Sequence, residues 1–201
     1  MDNFFSITPA SPAQQHGFTL VELLVSMAVL AVLLGVAVPS FQSVVASSQL
    51  SSRTNDLVGA LSLARSEAIR RGARVTLCKS SDGASCASSG DWDQGWIAFV
   101  DTTRSGTDAA VDSGETVIQI YQGNANAVSI KGSTNVANYV SFASDGRAKV
   151  MAGTPQTGTL RPCSSSAALN NDSRARSIEI TTTGRVSSTT VTGIASSCPA
   201  P

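Results

Sequence analysis

The sequence is poor in histidine, charge and aromatic side chains. It contains one histidine, His16, while 14% of its 201 residues are charged and 5% are aromatic. Soluble domains usually contain about 25% charged residues. A Ser-His-Asp triad, a histidine general base or a histidine-ligated zinc site would each have to use His16, which excludes most histidine-dependent catalysis. The 14 Lys and Arg side chains balance 14 Asp and Glu, so no net charge attracts nucleic acid or an anionic membrane.

The sequence also lacks the motifs of a cofactor-dependent or metal-dependent enzyme. It has no glycine-rich phosphate loop, and Gly146, Gly153 and Gly158 have the spacing of turns. The acidic residues between 80 and 115 do not have EF-hand spacing, so we expect solvated carboxylates there. We therefore predict one domain with an appendage, which is not an enzyme and has no cofactor or metal.

A long hydrophobic run lies near the N-terminus. Residues 18–38 contain a single charged side chain, Glu22. About 20 apolar residues form a helix long enough to cross a bilayer, and a buried core helix is rarely apolar on every face over this length. An ordinary secretory signal, the competing interpretation, has a basic region and a shorter apolar stretch. We predict that the run enters a membrane.

Glu22 is the unusual residue of this run, because a carboxylate in hydrocarbon costs roughly 3 kcal/mol or more and usually has a partner. The sequence has no Lys or Arg between residues 1 and 52, so no basic side chain of the same helix can pair with it inside the membrane. Cleavage after Gly17 would create a free α-amine at Phe18, one helical turn earlier. That amine could neutralise Glu22 of the same chain or of a neighbouring chain.

Residues 17–24, GFTLVELL, resemble the type IV prepilin signature, in which a Gly and a Phe precede a hydrophobic run with Glu at its fifth residue. The resemblance implies cleavage between Gly17 and Phe18 by the prepilin peptidase, N-methylation of Phe18, and assembly around a bundle of these helices. Pro39 matches a helix kink that is common in type IV pilins. The leader, residues 1–17, departs from the pattern because it has no Lys or Arg, so the positive-inside rule does not support a cytoplasmic leader.

Residues 39–72 have the pattern of an amphipathic helix. Apolar side chains recur three and four residues apart at Phe41, Val44, Val45, Leu57, Val58, Leu61, Ala64, Ala68 and Ile69. Arg70 and Arg71 followed by Gly72 are typical of a helix end. We predict one helix from about Phe18 to Arg71, whose second half packs on a head.

Residues 73–201 have the pattern of a β-rich head. Short β-prone runs alternate with turn clusters, and the predicted strands are residues 74–78, 95–100, 116–121, 127–131, 139–142, 177–181 and 185–192. One long helix followed by strands indicates the α+β class, with an antiparallel sheet packed on the second half of the helix.

Several blocks of the head resemble the FimT/FimU/GspH type of minor pilins and pseudopilins. They occur in order at residues 64–72, 75–78, 91–99, 142–147 and 184–186. The resemblance implies the type IV pilin fold. We predict that Trp92 and Trp96 anchor the core of a small sheet rather than stack on a ligand.

Four cysteines, Cys78, Cys86, Cys163 and Cys198, follow the hydrophobic run. They have no CxxC spacing, and an even number on the exported side of a membrane favours disulfides over reduced thiols. Three connectivities are open. We predict that sequence neighbours pair, as Cys78–Cys86 and Cys163–Cys198.

Charge is unevenly distributed along the head. Residues 80–115 contain one base and seven acids, whereas residues 147–201 contain six bases and two acids. Arginines clustered on one face can bind DNA phosphates. FimT-like competence pilins bind DNA through a Gly-Arg-x-Arg motif, of which this sequence keeps Gly184 and Arg185. Arg174 and Arg176 could replace the second arginine if an adjacent strand placed them beside Arg185; otherwise these arginines are solvated or contact neighbouring pilins.

We interpret the chain as a minor type IV pilin, a structural subunit that helps initiate or cap the pilus. The expected partners are the prepilin peptidase and other major and minor pilins. Two alternatives share the same processing: a DNA-binding competence pilin, and a minor pseudopilin of a type II secretion system. We expect a single-pass protein of the bacterial inner membrane with a periplasmic head, later part of a pilus or pseudopilus.

Overall fold

The computed structural model describes residues 18–103, 107–123 and 128–201. The predicted leader, with Gly17, lies outside these ranges, as does Ala127, the first residue of one predicted strand. The chain divides into two compact units, Met1–Pro39 and Ser40–Pro201.

One helix, α1 (Leu20–Arg71), belongs to both units. It begins two residues after the predicted start and ends at the predicted residue. Gly72 follows with a φ of 63°, and its N–H donates to the Ile69 carbonyl at 3.3 Å, the left-handed glycine that commonly terminates a helix. Pro39 lies inside α1 and removes one helical hydrogen bond, because proline has no N–H.

In the second unit, one face of α1 is buried. Its members are Ala46, Leu50, Thr54, Leu57, Ala60, Leu61, Ala64 and Ala68. The predicted apolar stripe is partly different, since Phe41, Val44 and Ile69 are exposed. At about 100° per residue, Phe41 lies about 180° around the helix from Leu50, Val44 about 120° and Ile69 about 100°, so all three lie outside the buried face. Apolar spacing alone therefore did not distinguish the face that packs from the face that does not.

In the residues that the structure describes, the strands form two antiparallel sheets of four strands each. The strands are β1 (Val75–Lys79), β2 (Gly95–Val100), β3 (Val117–Gln122), β4 (Val128–Gly132), β5 (Tyr139–Phe142), β6 (Gly158–Ser164), β7 (Ala175–Ile180) and β8 (Val186–Val191). Sheet 1 has the order β3-β2-β1-β5, and sheet 2 has the order β4-β6-β7-β8. The predicted α+β class is confirmed, but the sequence analysis predicted one antiparallel sheet and the structure has two.

Strand β6 is absent from the predicted strands. It contains Pro162, which normally argues against a strand with two neighbours. Pro162 lies opposite Ile130 of β4, but the pairing with β7 stops at Leu160 and resumes at Cys163 in the same register. The proline, which has no N–H to donate, thus falls where the ladder to β7 is interrupted.

Both faces of sheet 1 are buried. Val75 and Leu77 of β1 contact a central cluster that also contains α1 residues and side chains of sheet 2, such as Leu160. Cys78 of β1 points to the other face, where it packs with Ile97 and other buried side chains. The alternation of a strand thus lets β1 contribute to two cores at once.

Candidate assembly surface

The α1 segment of the first unit is apolar and exposed. Every side chain from residue 18 to residue 38 is exposed, including Phe18 at 82% and Val36 at 73%. Helix α1 is long and apolar enough to cross a membrane, judged by length and composition. A continuous exposed apolar surface of this size is the mark of a segment that contacts lipid or other apolar chains. We call residues 18–38 the apolar rod.

Glu22 takes part in a capping box at the start of α1. The Glu22 N–H donates to the Thr19 hydroxyl at 3.2 Å, and the Thr19 N–H donates to the Glu22 carboxylate at 3.4 Å. This reciprocal pair satisfies two N–H groups that have no partner within the helix. Sequence reasoning missed it, although the Thr-x-x-Glu spacing was visible at residues 19–22.

The capping box leaves the negative charge of Glu22 without a positive counterpart in the rod, because the sequence has no Lys or Arg before Arg53. Cleavage between Gly17 and Phe18, N-methylation of Phe18, and pairing of the new amine with Glu22 stay predictions. Pro39 lies at the C-terminal end of the first unit, directly after the rod.

Two disulfides fasten loops of the head to its strands. Cys78 of β1 is bonded to Cys86, and Cys163 of β6 is bonded to Cys198 near the C-terminus, each with Cα atoms 5.6 Å apart. The structure thus has the predicted pairing of sequence neighbours. A native disulfide of this kind typically stabilises a small exported domain by about 2–4 kcal/mol.

Trp92 and Trp96 lie inside the head. Trp92 is fully buried, and its indole N–H donates to the Val136 carbonyl at 3.0 Å. Trp96 stacks on Tyr121 with ring centroids 3.9 Å apart and is 1% exposed. Both rings are core groups in this structure rather than platforms open to a ligand.

Arg65 of α1 joins three segments that are far apart in sequence. Its Nε donates to the Gly146 carbonyl at 3.0 Å, and a terminal nitrogen donates to the Thr183 carbonyl at 3.2 Å. Gly146 lies in the turn after β5, and Thr183 in the turn between β7 and β8. Arg65, in one of the blocks that resemble the pilin family, therefore bonds to a second block at Gly146 and to Thr183, the residue directly before a third block. The sequence analysis did not predict this contact.

The two turns at Arg65 require glycine. Gly146 and Gly184 have φ values of 74° and 76°. A Cβ added to Gly184 would lie 1.9 Å from the Gly146 carbonyl oxygen, and one added to Gly146 would lie 2.7 Å from Ile69 Cδ1. Only residues without a side chain fit, because both the left-handed backbone and the close approach exclude a Cβ.

The candidate DNA-binding arginines are not brought together. Arg174 is 5% exposed, and its guanidinium donates to the carbonyls of Ser164, Ser166 and Leu169. The expectation that an adjacent strand places Arg174 and Arg176 beside Arg185 is wrong. Arg176 lies opposite Thr190 near one end of the β7–β8 pair, whereas Arg185 pairs with Thr181 in the turn at the other end. The buried guanidinium of Arg174 instead stabilises its own loop through these hydrogen bonds.

One open cavity of the second unit, of about 660 Å³, is bordered by Ser43, Ser47 and Ser51 of α1 and by residues 168–170 and Ser173. Within the described ranges, no group of three or more His, Cys, Asp or Glu side chains is arranged to hold a metal ion.

An exposed apolar helix that continues into a helix packed on antiparallel sheets defines a class, the pilin-like subunits. The model of the family described as type II transport protein GspH matches residues 53–184, and the prokaryotic N-terminal methylation motif matches residues 12–38. The chain belongs to the GspH family and is a minor pilin or pseudopilin, which confirms the resemblance seen in the sequence.

The chain is also similar to solved structures of the type IV minor pilin FimU from Pseudomonas aeruginosa strain PAO1. The crystal form in space group P21 has a TM-score of 0.47 at 20% identity, covering 70% of this chain and 87% of that one. The form in space group P65 has a TM-score of 0.45 at 20% identity, covering 75% and 96%. No curated protein matches the sequence.

Proposed function

We propose that the chain is a minor type IV pilin, anchored in the inner membrane by the apolar rod and later incorporated into a pilus that it helps initiate or cap. The observation that carries the proposal is the contrast along α1. The rod is exposed on every face, whereas the helix from Ala46 onward is buried on one face by the head. Such a rod needs lipid or other apolar helices around it, and a subunit that can use either can move from membrane to filament.

The charge of Glu22 favours transfer from the membrane to the filament over the reverse. A charged carboxylate is costly in lipid, and the capping box supplies it with one N–H donor at 3.4 Å but with no positive charge. After cleavage, the amine of Phe18 on the same or a neighbouring chain would supply that charge. Pairing inside a bundle of helices then favours the filament over the membrane.

The first experiment replaces Glu22 in the full chain. Glu22→Gln retains a side-chain oxygen for the cap but no charge, and Glu22→Val removes both. We expect both variants to reach the membrane at normal levels and to fall about tenfold or more in sheared pili, since about 1.4 kcal/mol of lost pairing is a factor of ten.

Ser26→Ala is the matched control. Ser26 lies one turn further along α1 and is also a polar side chain within the rod, with its hydroxyl donating to the Glu22 carbonyl at 2.7 Å. This variant should be incorporated normally. Wild-type incorporation of Glu22→Gln would contradict the proposal, and so would a mature N-terminus, measured by mass spectrometry, at any residue other than an N-methylated Phe18.

A second candidate is a minor pseudopilin of a type II secretion system, which the description of the matched family favours. The processing and the rod would serve both machines in the same way. Deletion of the chain separates them. A pilin predicts loss of surface pili and twitching with secretion intact, while a pseudopilin predicts the reverse.

A further inference from the structure

Strand β8 forms one edge of sheet 2. It is the last strand in the order β4-β6-β7-β8, and it pairs with β7 from Val186, opposite Ile180, to Val191, opposite Ala175. Its sequence, VSSTTV, contains no charged residue and no proline, which are devices that commonly protect an edge strand from pairing with another chain. The composition of β8 therefore leaves this edge open to a further strand.

The main-chain groups on the open side of β8 belong to alternate residues. The Arg185 carbonyl accepts a hydrogen bond from the Thr181 N–H at 3.1 Å, so the main chain of Arg185 bonds towards β7. Successive residues of an antiparallel strand direct their N–H and C=O groups to opposite sides. Val186, Ser188 and Thr190 therefore direct theirs away from β7. None of the described residues outside the sheet forms a main-chain hydrogen bond with these three.

The segment after β8 does not cover the open edge. Cys198 is bonded to Cys163 of β6, and Arg161 of β6 donates to the Pro199 and Ala200 carbonyls at 3.3 and 3.0 Å. Strand β6 lies on the far side of β7 from β8. The disulfide and the arginine thus hold this tail away from the edge.

An open cavity of about 450 Å³ lies where β8 begins. Val186, the first residue of the open edge, lines this cavity together with Arg65 and Arg185. Ile69 of α1 also lines it, and this side chain is 53% exposed. The cavity thus combines two guanidinium groups, one apolar side chain and the start of the edge.

Neither guanidinium of the cavity has an anionic partner among the described residues. The two acceptors of Arg65 are the neutral carbonyls of Gly146 and Thr183, and Arg185 is exposed. Guanidinium groups form their strongest hydrogen bonds with carboxylate and phosphate oxygens. The cavity therefore favours an oxyanion supplied by another molecule.

We propose that an extended segment of another protein, ending in a free α-carboxylate, adds to β8 as a fifth strand of sheet 2 and places its carboxylate between Arg65 and Arg185. All pairs in sheet 2 are antiparallel, and a strand antiparallel to β8 ends beside Val186, where the cavity lies. Strand addition to an open edge and capture of a terminal carboxylate are two known ways of recognising a peptide, and here they meet at one residue.

The geometry also restricts the sequence of the added segment. The main-chain groups of Val186, Ser188 and Thr190 can bond to a segment of about five residues. Proline is excluded at each position that donates to β8, because it has no N–H. An apolar last side chain fits best, since Ile69 lines the cavity. The inference goes beyond the proposed function, because it assigns the head a binding site of its own.

The test uses the full chain in non-ionic detergent and a fluorescein-labelled peptide with a free C-terminal carboxylate. The peptide has two N-terminal lysines for solubility, followed by alternating Thr and Val and ending in Val. Fluorescence anisotropy measures its affinity at about 150 mM salt, where the screening length is about 8 Å. We expect the free acid to bind at least about tenfold more tightly than the same peptide with a C-terminal amide, because the amide has no charge for the two guanidinium groups.

Arg185→Gln tests the carboxylate site. The side chain of Arg185 forms no hydrogen bond or ion pair with the described residues, so the variant should keep the fold. It should weaken binding of the free acid about tenfold and leave binding of the amide unchanged. Arg147→Gln is the matched control, since Arg147 is an exposed arginine that does not line the cavity, and this variant should bind like the wild type.

Ser188→Pro tests the added strand. It removes an N–H on the open side, where an edge strand tolerates proline, and should weaken binding about fivefold or more, because one main-chain hydrogen bond is lost. Ser188→Val retains the N–H and should bind like the wild type. Amide hydrogen exchange gives a second readout, since the N–H groups of Val186, Ser188 and Thr190 should exchange more slowly when the peptide is bound.

Three results would overturn the proposal. One is equal affinity for the free acid and the amide, and another is unchanged exchange at the three outward amides of β8. The third is no binding of the free acid at about 1 mM, including the case in which a short DNA duplex binds through Arg185 instead. None of these measurements depends on incorporation into pili, so they are separable from the Glu22→Gln experiment.

Discussion

The two parts of α1 have similar helical backbone and opposite surroundings. Between residues 18 and 38 every side chain is exposed, although nearly all of them are apolar. Beyond Ala46 the helix carries more polar residues, yet its buried face includes Leu50, Leu57 and Leu61 at 0% exposure. The comparison teaches that apolar content alone does not decide which helix packs within a chain. A stripe one face wide can be covered by sheets of the same chain, whereas a helix apolar all round needs a surrounding medium.

The largest expected effect is a difference between two leucines of α1. Leu57→Ala opens a cavity in the central core and should lower the free energy of unfolding of the head by about 2–5 kcal/mol. Leu30→Ala, in the exposed rod, should change it by less than about 0.5 kcal/mol. Urea unfolding of the full chain in detergent, followed by tryptophan fluorescence, measures both. Equal losses would mean that the rod is part of the head's cooperative unit.

A smaller effect is expected where Arg65 joins α1 to two turns. Arg65→Ala removes the donors to the Gly146 and Thr183 carbonyls and should destabilise the head by about 1–3 kcal/mol, because Gly146 is buried and cannot fully replace the bond with water. Arg70→Ala is the control, since Arg70 is an exposed residue of the same helix end whose pair with Glu67 is solvated. A loss in Arg70→Ala as large as in Arg65→Ala would contradict this assignment.

The smallest effect concerns Glu67 at the exposed end of α1. Hydrogen bonds from Arg70 and then Arg71 lower the pKa of Glu67 from 4.5 to about 2. A carboxyl with a lowered folded-state pKa stabilises the fold above its unfolded pKa, and this contribution is lost as the pH falls from about 4.5 towards about 2. Because solvent screens the pair, the change in stability is small.

Carboxyl-carbon NMR should therefore show Glu67 titrating near pH 2 in the folded head. Replacing Arg70 and Arg71 by Gln should return the midpoint towards 4.5, and Arg147→Gln should not. If the titration midpoint of Glu67 did not change in the double replacement, the two arginines would not be the cause of its lowered pKa.

Much of the fold followed from patterns local in sequence. Strands β2 and β5 have the predicted bounds, and α1 ends at the predicted Arg71. Strand β6 could not be predicted, because Pro162 is tolerated only where the ladder to β7 is interrupted. The capping box of Thr19 and Glu22 was not predicted, although its Thr-x-x-Glu spacing is visible in the sequence.

The candidate surfaces were likewise predicted from the sequence only in part. The apolar rod and Glu22 were identified from the sequence, whereas the burial or exposure of each arginine was not. Arg174 and Arg185 are the same residue type in one basic stretch, yet Arg174 is buried beneath its own loop and Arg185 is exposed beside Arg65. Whether an arginine of this stretch is buried or exposed depends on how segments distant in sequence pack around it.

The amino-acid sequence by itself determined the membrane-type helix, the place of its acid and the β-rich character of the head, because these properties arise from neighbouring residues along the chain. Only the tertiary structure decided that the strands form two sheets, that three distant segments meet at Arg65, and that Arg174 is buried while Arg185 is exposed. Such features depend on contacts between residues about 40 to 120 positions apart, such as the bond between Arg65 and Thr183, and local preference has no information about them.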